Sequence, residues 1–325
     1  MNNMLKNALI RAAPLVDLLM SPLTFIAAFW LKTVRRIGVD RMRISKLLFR
    51  RVGVFPVRDQ YYEPLVNGTH LKKSLAIDRP LPGLNLNEAE QLALLDKFHY
   101  NDELIAFSLE KRADREFYYH NGAFESGDAE YLFNVIRLFK PRKIVEVGSG
   151  YSTLMAIGAT NRNRDEDAAY DCRQICIEPY EQPWLEALGV TVLRERVEDI
   201  DKEIFRSLEA NDILFIDSSH VIRPQGDVLC EYLEILPLLK SGVLIHVHDI
   251  FTPRDYPHDW IVEKVRLWNE QYLLEAFLSF NGQFRVIGAL NYLRHRRTAE
   301  LVAKCPILKI ELTGREPGSF WMIRN

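Results

Sequence analysis

The sequence predicts an α/β protein built on a Rossmann-like, mostly parallel sheet flanked by helices, preceded by a helical and extended arm. Short apolar runs alternate with stretches of helical periodicity, and the first run ends in a tight glycine turn. Runs that are apolar at consecutive positions suit strands covered on both faces, and the alternation implies parallel strands joined by right-handed crossovers. We predict strands over residues 144–147, 174–177, 190–194, 213–217, 242–249, 284–288 and 320–323.

Composition places the chain among ordinary globular proteins, with 325 residues, 48% hydrophobic and 26% charged. Its four cysteines form no C-x-x-C pair, which excludes a disulfide scaffold and favours a reducing cytoplasm. The formal net charge of −2 hides an asymmetry. Residues 1–60 hold 11 Lys/Arg and 3 Asp, a net of +8, so residues 61–325 carry −10.

Residues 1–51 form an arm that is apolar first and basic second. The apolar part, residues 14–31, is interrupted by Pro14, Asp17 and Pro22, and a basic stretch follows to Arg51. Three interpretations stay open: a spanning helix, a helix lying on the anionic inner leaflet, or a helix packed on the protein or on a second subunit of a homo-oligomer. We predict a cytoplasmic protein, with contact to the inner membrane surface through residues 14–51 as the alternative. No cleavage site indicates a signal peptide, and no motif indicates nucleic-acid binding.

The prolines and glycines of residues 52–87 predict an extended segment, and a helix is predicted to start at Glu88, so residues 52–116 form an extended and helical cover. Residues 117–325 then form the main domain. Its helices are expected over residues 126–139, after the glycine turn, and over 227–239 and 260–280, with a polar loop over 161–171.

The glycine turn follows an acid, Glu146, and reads Gly148-Ser149-Gly150. Glycines let a ligand approach the backbone closely, and free N–H groups at the start of the next helix favour a polar ligand. A dinucleotide-binding turn needs a third glycine where this chain has Thr153, which disfavours NAD.

Acidic residues end or follow several of the predicted strands: Glu146, Glu178, Asp217 and Asp249. Since the carboxyl ends of parallel strands share one edge of a sheet, these acids are expected at one rim. Glu178, at the end of the second strand, suits bidentate binding of a ribose diol. It lies 28 residues after Gly150, and the polar loop explains why this spacing is longer than the usual ~20 residues.

These features resemble the class I S-adenosylmethionine-dependent methyltransferases, in particular the bacterial branch that includes sugar and natural-product O-methyltransferases. The resemblance covers residues 117–325 and rests on the segments E-V-G-S-G-Y-S-T, I-D-S-S-H, L-L-K-S-G-V and the H-D that ends the fifth strand. It implies a seven-stranded sheet with an antiparallel last strand, S-adenosylmethionine as cofactor, and a segment, residues 121–127, closing over the methionine end. The cofactor contacts that it implies are Glu146, Gly148, Ser149, Gly150, Tyr151, Ser152, Glu178, Pro179, Glu198, Asp199 and Asp217.

The resemblance also implies chemistry after the fourth and fifth strands. In metal-dependent relatives three acids hold magnesium there, and this chain offers Asp217, His248 and Asp249, a set that suits manganese, zinc or no metal at all better than magnesium. Ser219 stands where related enzymes place a basic Asp, so His220, oriented by Asp217, is our candidate base. A histidine that only binds the cofactor or caps a helix is the alternative.

The loop after the fifth strand carries Arg254, Tyr256 and Trp260, which we expect to contact a sugar or simply to cover the rim. The predicted function is methylation of a hydroxyl group on a sugar, glycan or other small acceptor. A non-catalytic cofactor-binding or scaffold protein on the same fold is the alternative.

Overall fold

The computed structural model describes residues 3–180 and 182–325. These residues form two compact units, the first ending at Leu71 and the second running from Lys72 to Asn325. The division therefore falls after residue 71, and not at the predicted boundaries 51 and 116. Residues 72–116 belong to the larger unit because they pack on it: the Arg79 guanidinium, for example, donates to Glu275 and to the main-chain oxygen of Arg254.

The first unit consists of two helices and an extended segment. Helix α1 (Asn3–Ile37) continues through Pro14 and Pro22, and helix α2 (Arg43–Val52) ends at a left-handed Gly53. Within the described part of the chain, the stretch Ile10–Ile37 of α1 is the only one long and apolar enough to cross a bilayer. Most of its apolar side chains are exposed.

A seven-stranded sheet forms the centre of the second unit, as predicted. Its strand order is β3-β2-β1-β4-β5-β7-β6, with β1 to β5 parallel and β7 antiparallel to both β5 and β6. The strands are β1 (Lys143–Val147), β2 (Arg173–Ile177), β3 (Thr191–Leu193), β4 (Ile213–Ile216), β5 (Leu244–Val247), β6 (Phe284–Ala289) and β7 (Phe320–Arg324).

Helices cover both faces of this sheet. They are α3 (Glu88–Leu95), α4 (Asn101–Ile105), α5 (Asp128–Phe139), α6 (Tyr151–Glu166), α7 (Glu203–Arg206), α8 (Asp227–Cys230), α9 (Glu270–Leu278), α10 (Leu290–Arg296), α11 (Thr298–Val302) and α12 (Pro306–Glu311). Successive strand residues alternate between two apolar cores: Ile144 and Phe215 face α5 and α6, whereas Val145 and Leu214 face the side of α8 and α9.

Two helix predictions are corrected. Helix α6 continues to Glu166 through half of the predicted polar loop, because Asn163 is buried and bonds to the Ile136 carbonyl and the Arg137 guanidinium. The long helix predicted over residues 260–280 is broken. A single π-helical turn, Asp259–Glu263, is followed by Val265 in a left-handed conformation (φ 52°), and α9 begins only at Glu270.

The register of the parallel strands places the carboxyl ends of β1, β2, β4 and β5 next to one another. Val147 pairs with Ile177 on one side and with Ile216 on the other, and Ile216 pairs with Val247. The residues that follow these four strand ends therefore emerge side by side at one edge of the sheet.

Candidate active site

The glycine turn at the end of β1 requires glycine at its first position. Gly148 has φ +78°, and a Cβ added there would lie 1.8 Å from the main-chain oxygen of Asp217. Its N–H donates to the Ile177 carbonyl at 3.0 Å. Gly150 is extended, and the nearest atom to an added Cβ is Gln182 Nε2 at 3.8 Å, so this second glycine is not required by space.

Glu146 lies beneath the turn and is almost fully buried. Its Oε2 accepts the hydroxyl of Thr153 at 2.7 Å, and that hydroxyl accepts the Gly150 N–H at 3.2 Å. Burial raises the pKa of Glu146 to about 7, against the opposing effect of the hydroxyl hydrogen bonds. Its other oxygen has no partner among the described protein atoms, which leaves one buried acceptor for a ligand donor. Thr153, where a dinucleotide-binding turn has glycine, thus ties the turn to the acid.

A cavity of about 410 Å³ opens beside the turn. Glu178, directly after β2, lines it, and its carboxylate accepts the N–H groups of Ser149 (3.3 Å) and Tyr180 (3.0 Å). Pro179 and Glu198 line it too, as expected. Tyr180, which is highly exposed, lies on the same wall and was not predicted; the aromatic residue two positions after the strand-end acid was the available signal.

Other predicted cofactor contacts lie elsewhere. Ser149 and Ser152 are buried within the turn. Tyr151 points into a separate cavity of about 290 Å³, where its hydroxyl lies 3.1 Å from that of Tyr118, because the first turn of α6 directs it away from the rim. Asp199 is absent from the lining of the 410 Å³ cavity and pairs with Arg196 at 3.2 Å. The 410 Å³ cavity therefore does not bring Tyr151 and Asp199 together with Glu178 and Glu198, and a cofactor contact by either residue stays a prediction.

A second cavity, of about 620 Å³, adjoins the first. Asp217, Ser218 and Ser219 line both cavities. The second is also lined by Gly122, Ala123, Glu125 and Ser126 of the segment before α5, by His220, His248 and Asp249, and by Trp260, Arg266 and Trp268. The two cavities thus meet at the residues that follow β4.

His220 lies between three carboxylates. Its Nε2 is 3.2 Å from Asp217 Oδ1 and 3.7 Å from Asp249 Oδ2, and its Nδ1 is 2.8 Å from Glu270 Oε2. Burial lowers the pKa of His220, but hydrogen bonds to Asp217 and Glu270 outweigh it and raise that pKa well above its ordinary value. Glu270, at the start of α9, is fully buried and was not predicted, because a helix boundary in the middle of an apolar periodic stretch gives no sequence signal.

The backbone is strained where this cluster forms. His220 (φ 60°) and Asp249 (φ 57°) both adopt the left-handed region, which costs a non-glycine residue on the order of 1–3 kcal/mol. The His220 carbonyl accepts the N–H groups of Asn269 (3.0 Å) and Glu270 (3.2 Å), which fixes the strained conformation. Such strain marks residues that the fold holds in place for a purpose other than local stability.

The predicted metal set is corrected. Atoms of Asp217, His220 and Asp249 that can bind a metal lie within 4.8 Å of one another, whereas His248 is not part of this group. The ring of His248 packs against Phe124 (5.4 Å between centroids) and His246, as continuation of β5 directs it to that face. His246 is fully buried, with Nε2 2.9 Å from Ser319 Oγ.

Of the three residues singled out in the loop after β5, Trp260 lines the 620 Å³ cavity, whereas Arg254 and Tyr256 do not. Arg254 Nε bonds to Asp78 at 3.1 Å, and Tyr256 is fully buried, its hydroxyl accepting the Gln271 N–H at 3.0 Å.

Arg266, which is half-buried, lines the cavity instead. Its guanidinium carbon lies 4.3 Å from the Trp260 ring centroid and 4.2 Å from that of Trp268, a cation packed against two indoles that contact each other edge to face. In the sequence, Trp260, Arg266 and Trp268 lie within the stretch predicted as one continuous helix, so their arrangement was not expected.

Comparison with protein families identifies one matching region. Residues 145–250, which run from β1 through β5 and include the glycine turn and the His220 cluster, match the family model described as a methyltransferase domain. A protein from Archaeoglobus fulgidus that carries only the description "uncharacterized" is 29% identical over 179 residues, which cover 50% of this chain and 78% of that protein.

Among solved structures, this chain is similar to an O-methyltransferase from Bacillus cereus in complex with SAH, at 11% identity and a TM-score of 0.37, covering 73% of this chain and 91% of that one. It is also similar to the plantazolicin methyltransferase BpumL in complex with SAH, at 13% identity and a TM-score of 0.34, covering 62% and 82%.

Proposed function

We propose that this chain, whose residues 145–250 are a class I S-adenosylmethionine-dependent methyltransferase domain, methylates a hydroxyl group of a sugar, glycan or other small acceptor. The single observation that carries the proposal is the meeting of two cavities at Asp217, Ser218 and Ser219, with His220 and Asp249 beside the junction. One cavity suits the nucleoside of the cofactor and the other an acceptor, so the transferable methyl group would lie where they join.

The smaller cavity offers the contacts that an adenosine moiety needs. Gly148 allows close approach to the backbone, and a carboxylate at the end of β2, Glu178, suits the ribose hydroxyls. Tyr180 and Pro179 supply apolar surface for the adenine ring. The buried oxygen of Glu146 beneath the turn is available to a donor such as the methionine amino group.

The larger cavity suits a polar acceptor with an apolar face. Trp260 and Trp268 provide aromatic surface suited to a sugar ring, and Arg266, packed against both, provides up to five N–H donors for hydroxyl or acidic groups. At about 620 Å³ the cavity has the size of ordinary small-molecule sites. These features support a small or glycan-like acceptor.

His220 is the proposed base. In the transfer, the acceptor oxygen forms a bond to the methyl carbon as the carbon–sulfur bond breaks, and the hydroxyl proton passes to His220 Nε2; the sulfonium becomes a neutral thioether. Glu270 accepts the Nδ1–H bond at 2.8 Å, which orients the ring with Nε2 towards the cavity. His220 must be neutral to accept the proton, so the reaction is expected to need a pH near or above its raised pKa.

A divalent metal is the competing role for the same atoms. Two carboxylates and one imidazole whose Nδ1–H is held by an outer carboxylate form a donor set that suits manganese or zinc better than magnesium. When bound, such an ion would lower the pKa of an acceptor hydroxyl. Since Nε2 cannot bind an ion and accept a proton together, the two roles are mutually exclusive.

Calorimetric titration with S-adenosylmethionine and S-adenosylhomocysteine, followed by turnover assays on a panel of hydroxyl-bearing acceptors, tests the proposal. Cofactor binding without turnover on any acceptor would favour the scaffold alternative. With a turned-over acceptor, His220→Ala is expected to lower kcat by about 10²–10⁴-fold with cofactor affinity preserved. Activity that is lost with a chelator and restored by manganese or zinc would indicate that these atoms bind a metal ion and that His220 is not the base.

A further inference from the structure

Helix α1 presents apolar side chains on every side. The 20 residues between Arg11 and Lys32 contain one ionisable side chain, Asp17, and as a helix they span about 30 Å, the thickness of a bilayer's hydrocarbon core. Consecutive positions are exposed alike: Leu18 and Leu19 at 70% each, Phe25 at 74% and Ile26 at 65%. A helix that packs on a soluble domain buries one face, whereas no residue between Ile10 and Leu31 is buried.

Pro22 of this helix is accommodated in a way that suits hydrocarbon. Pro22 has no N–H, so the Leu18 carbonyl loses its usual helical partner four residues later. The hydroxyl of Ser21 donates to that same carbonyl at 2.9 Å. Where no water is present, a freed carbonyl must be satisfied from within the helix, and a neighbouring serine is one of the ways in which membrane helices do so.

The two ends of the apolar stretch differ in charge. Two cations, Lys6 and Arg11, precede it, whereas eight Lys/Arg and one acid, Asp40, lie between residues 32 and 51. Trp30 stands at the boundary, as aromatic residues do at membrane interfaces. Just beyond it, Arg35 pairs with Glu63 and lies over the Phe55 ring at 5.0 Å, so the chain has left the apolar region by that point.

Helix α2 continues this basic region as an amphipathic helix. Ile44, Leu47 and Leu48 lie on one side and are more than half exposed, whereas Lys46 and Arg50 lie on the other. No residue of this helix is buried. A short basic helix with an unpartnered apolar side fits the surface of an anionic leaflet.

We propose that residues 12–31 cross a bilayer and that residues 32–52 lie on its anionic, cytoplasmic face. The excess of Lys/Arg after the apolar stretch sets this orientation, because basic flanks stay on the cytoplasmic side. Asp17, about 8 Å from the outer end of the apolar stretch, lies close enough to the headgroups to be hydrated. With this orientation, the larger unit, which follows in sequence, is expected on the cytoplasmic side of the bilayer.

Extraction of membranes that contain the full-length chain tests the span. The protein is expected to resist alkaline carbonate, to dissolve in mild detergent and to float with lipid in a density gradient. A double substitution at the centre of the span, Leu19→Arg with Leu23→Arg, is expected to move most of the protein into the carbonate-soluble fraction. The matched control, Leu47→Arg with Leu48→Arg in α2, is expected to stay carbonate-resistant.

Protease access tests the orientation. The larger unit is expected to be protected in right-side-out vesicles and digested in inverted ones. Release of the wild-type chain by carbonate, with retention on anionic liposomes, would overturn the span in favour of surface binding. A soluble chain that ignores liposomes, or intact mass showing that residues up to 31 are removed as a cleaved leader, would overturn the anchor altogether.

Discussion

Glu178 provides the sharpest test of the cofactor site, because its substitution by alanine removes the one carboxylate at the end of β2 and leaves the residues of the glycine turn unchanged. Its two oxygens accept the main-chain N–H groups of Ser149 and Tyr180. A carboxylate oxygen can accept more than one hydrogen bond, so both remain able to accept the ribose hydroxyls. Glu178→Ala is therefore expected to weaken binding of S-adenosylhomocysteine strongly.

The size of the loss follows from these contacts. Each charge-assisted hydrogen bond contributes about 1.5–3 kcal/mol, so two contribute about 3–6 kcal/mol. At about 1.4 kcal/mol for each tenfold step, Kd is expected to rise by roughly 10²–10⁴-fold. Part of any loss will come from the Ser149 N–H, which is buried and loses its acceptor in the variant. The ribose contribution must therefore be separated from that of the turn.

A cycle with a 2′-deoxy analogue of S-adenosylhomocysteine makes this separation. Calorimetry on the wild type is expected to show a loss of about tenfold or more for the deoxy ligand, and on Glu178→Ala no further loss. Glu209→Gln, which alters an exposed carboxylate paired with Lys240, serves as the control and is expected to bind both ligands as the wild type does. An equal deoxy penalty in wild type and Glu178→Ala would refute ribose recognition by this carboxylate.

Three further predictions concern the turn, the base and the acceptor cavity. Gly148→Ala is expected to lower the unfolding free energy by more than about 2 kcal/mol, because the added Cβ would collide with the main chain at a left-handed φ. The control, Gly150→Ala, is expected to melt within about a degree or two of the wild type. Similar melting temperatures of the two variants would contradict this account of the turn. Glu270→Gln keeps the shape but removes a charge that raises the pKa of His220, so that pKa falls and the acid limb of the kcat/KM profile is expected to move to lower pH; a limb that stays in place would argue against His220 as the base. Arg266→Ala is expected to raise the acceptor KM at least several-fold with cofactor Kd unchanged, and an unaltered KM would remove Arg266 from acceptor binding.

Much of the sheet could be predicted from sequence because its strands are short, consecutively apolar and covered on both faces. The level ends of β1, β2, β4 and β5 then follow from parallel pairing, and this is why acids separated by up to about a hundred residues could be placed at one rim. Gly148 could be singled out for the same reason: a strand that ends in glycine beside a neighbouring strand's carbonyl has no room for a side chain.

The direction of individual side chains could not be predicted. Asp199 and Glu198 are adjacent in sequence, yet only Glu198 lines the cavity, because the short helical turn after β3 sends the two carboxylates to different sides. Tyrosine is a residue type that often contacts substrates, but Tyr256 is buried because α9 packs against it. Glu270, Arg266 and Trp268 were missed because Val265 breaks the periodic stretch in a left-handed conformation, which residue type does not signal.

The four acids at the rim carry different electrostatic roles, and the difference bears on the proposed reaction. Glu146 lies beneath the turn and lines neither cavity, and Glu178 accepts main-chain N–H groups, so Asp217 and Asp249 supply the negative charge at the junction of the cavities. In the proposed reaction, the sulfonium of S-adenosylmethionine would lie at this junction before transfer, and afterwards the sulfur would be neutral and His220 would carry the proton. A positive charge is thus replaced by another within a few ångströms of the same two carboxylates, His220 lying 3.2 Å from Asp217 and 3.7 Å from Asp249. The two carboxylates would therefore face a positive charge both before and after the transfer, first on sulfur and then on the imidazole, without rearrangement of the protein. Such preorganised charge is what favours a reaction step in which charge moves.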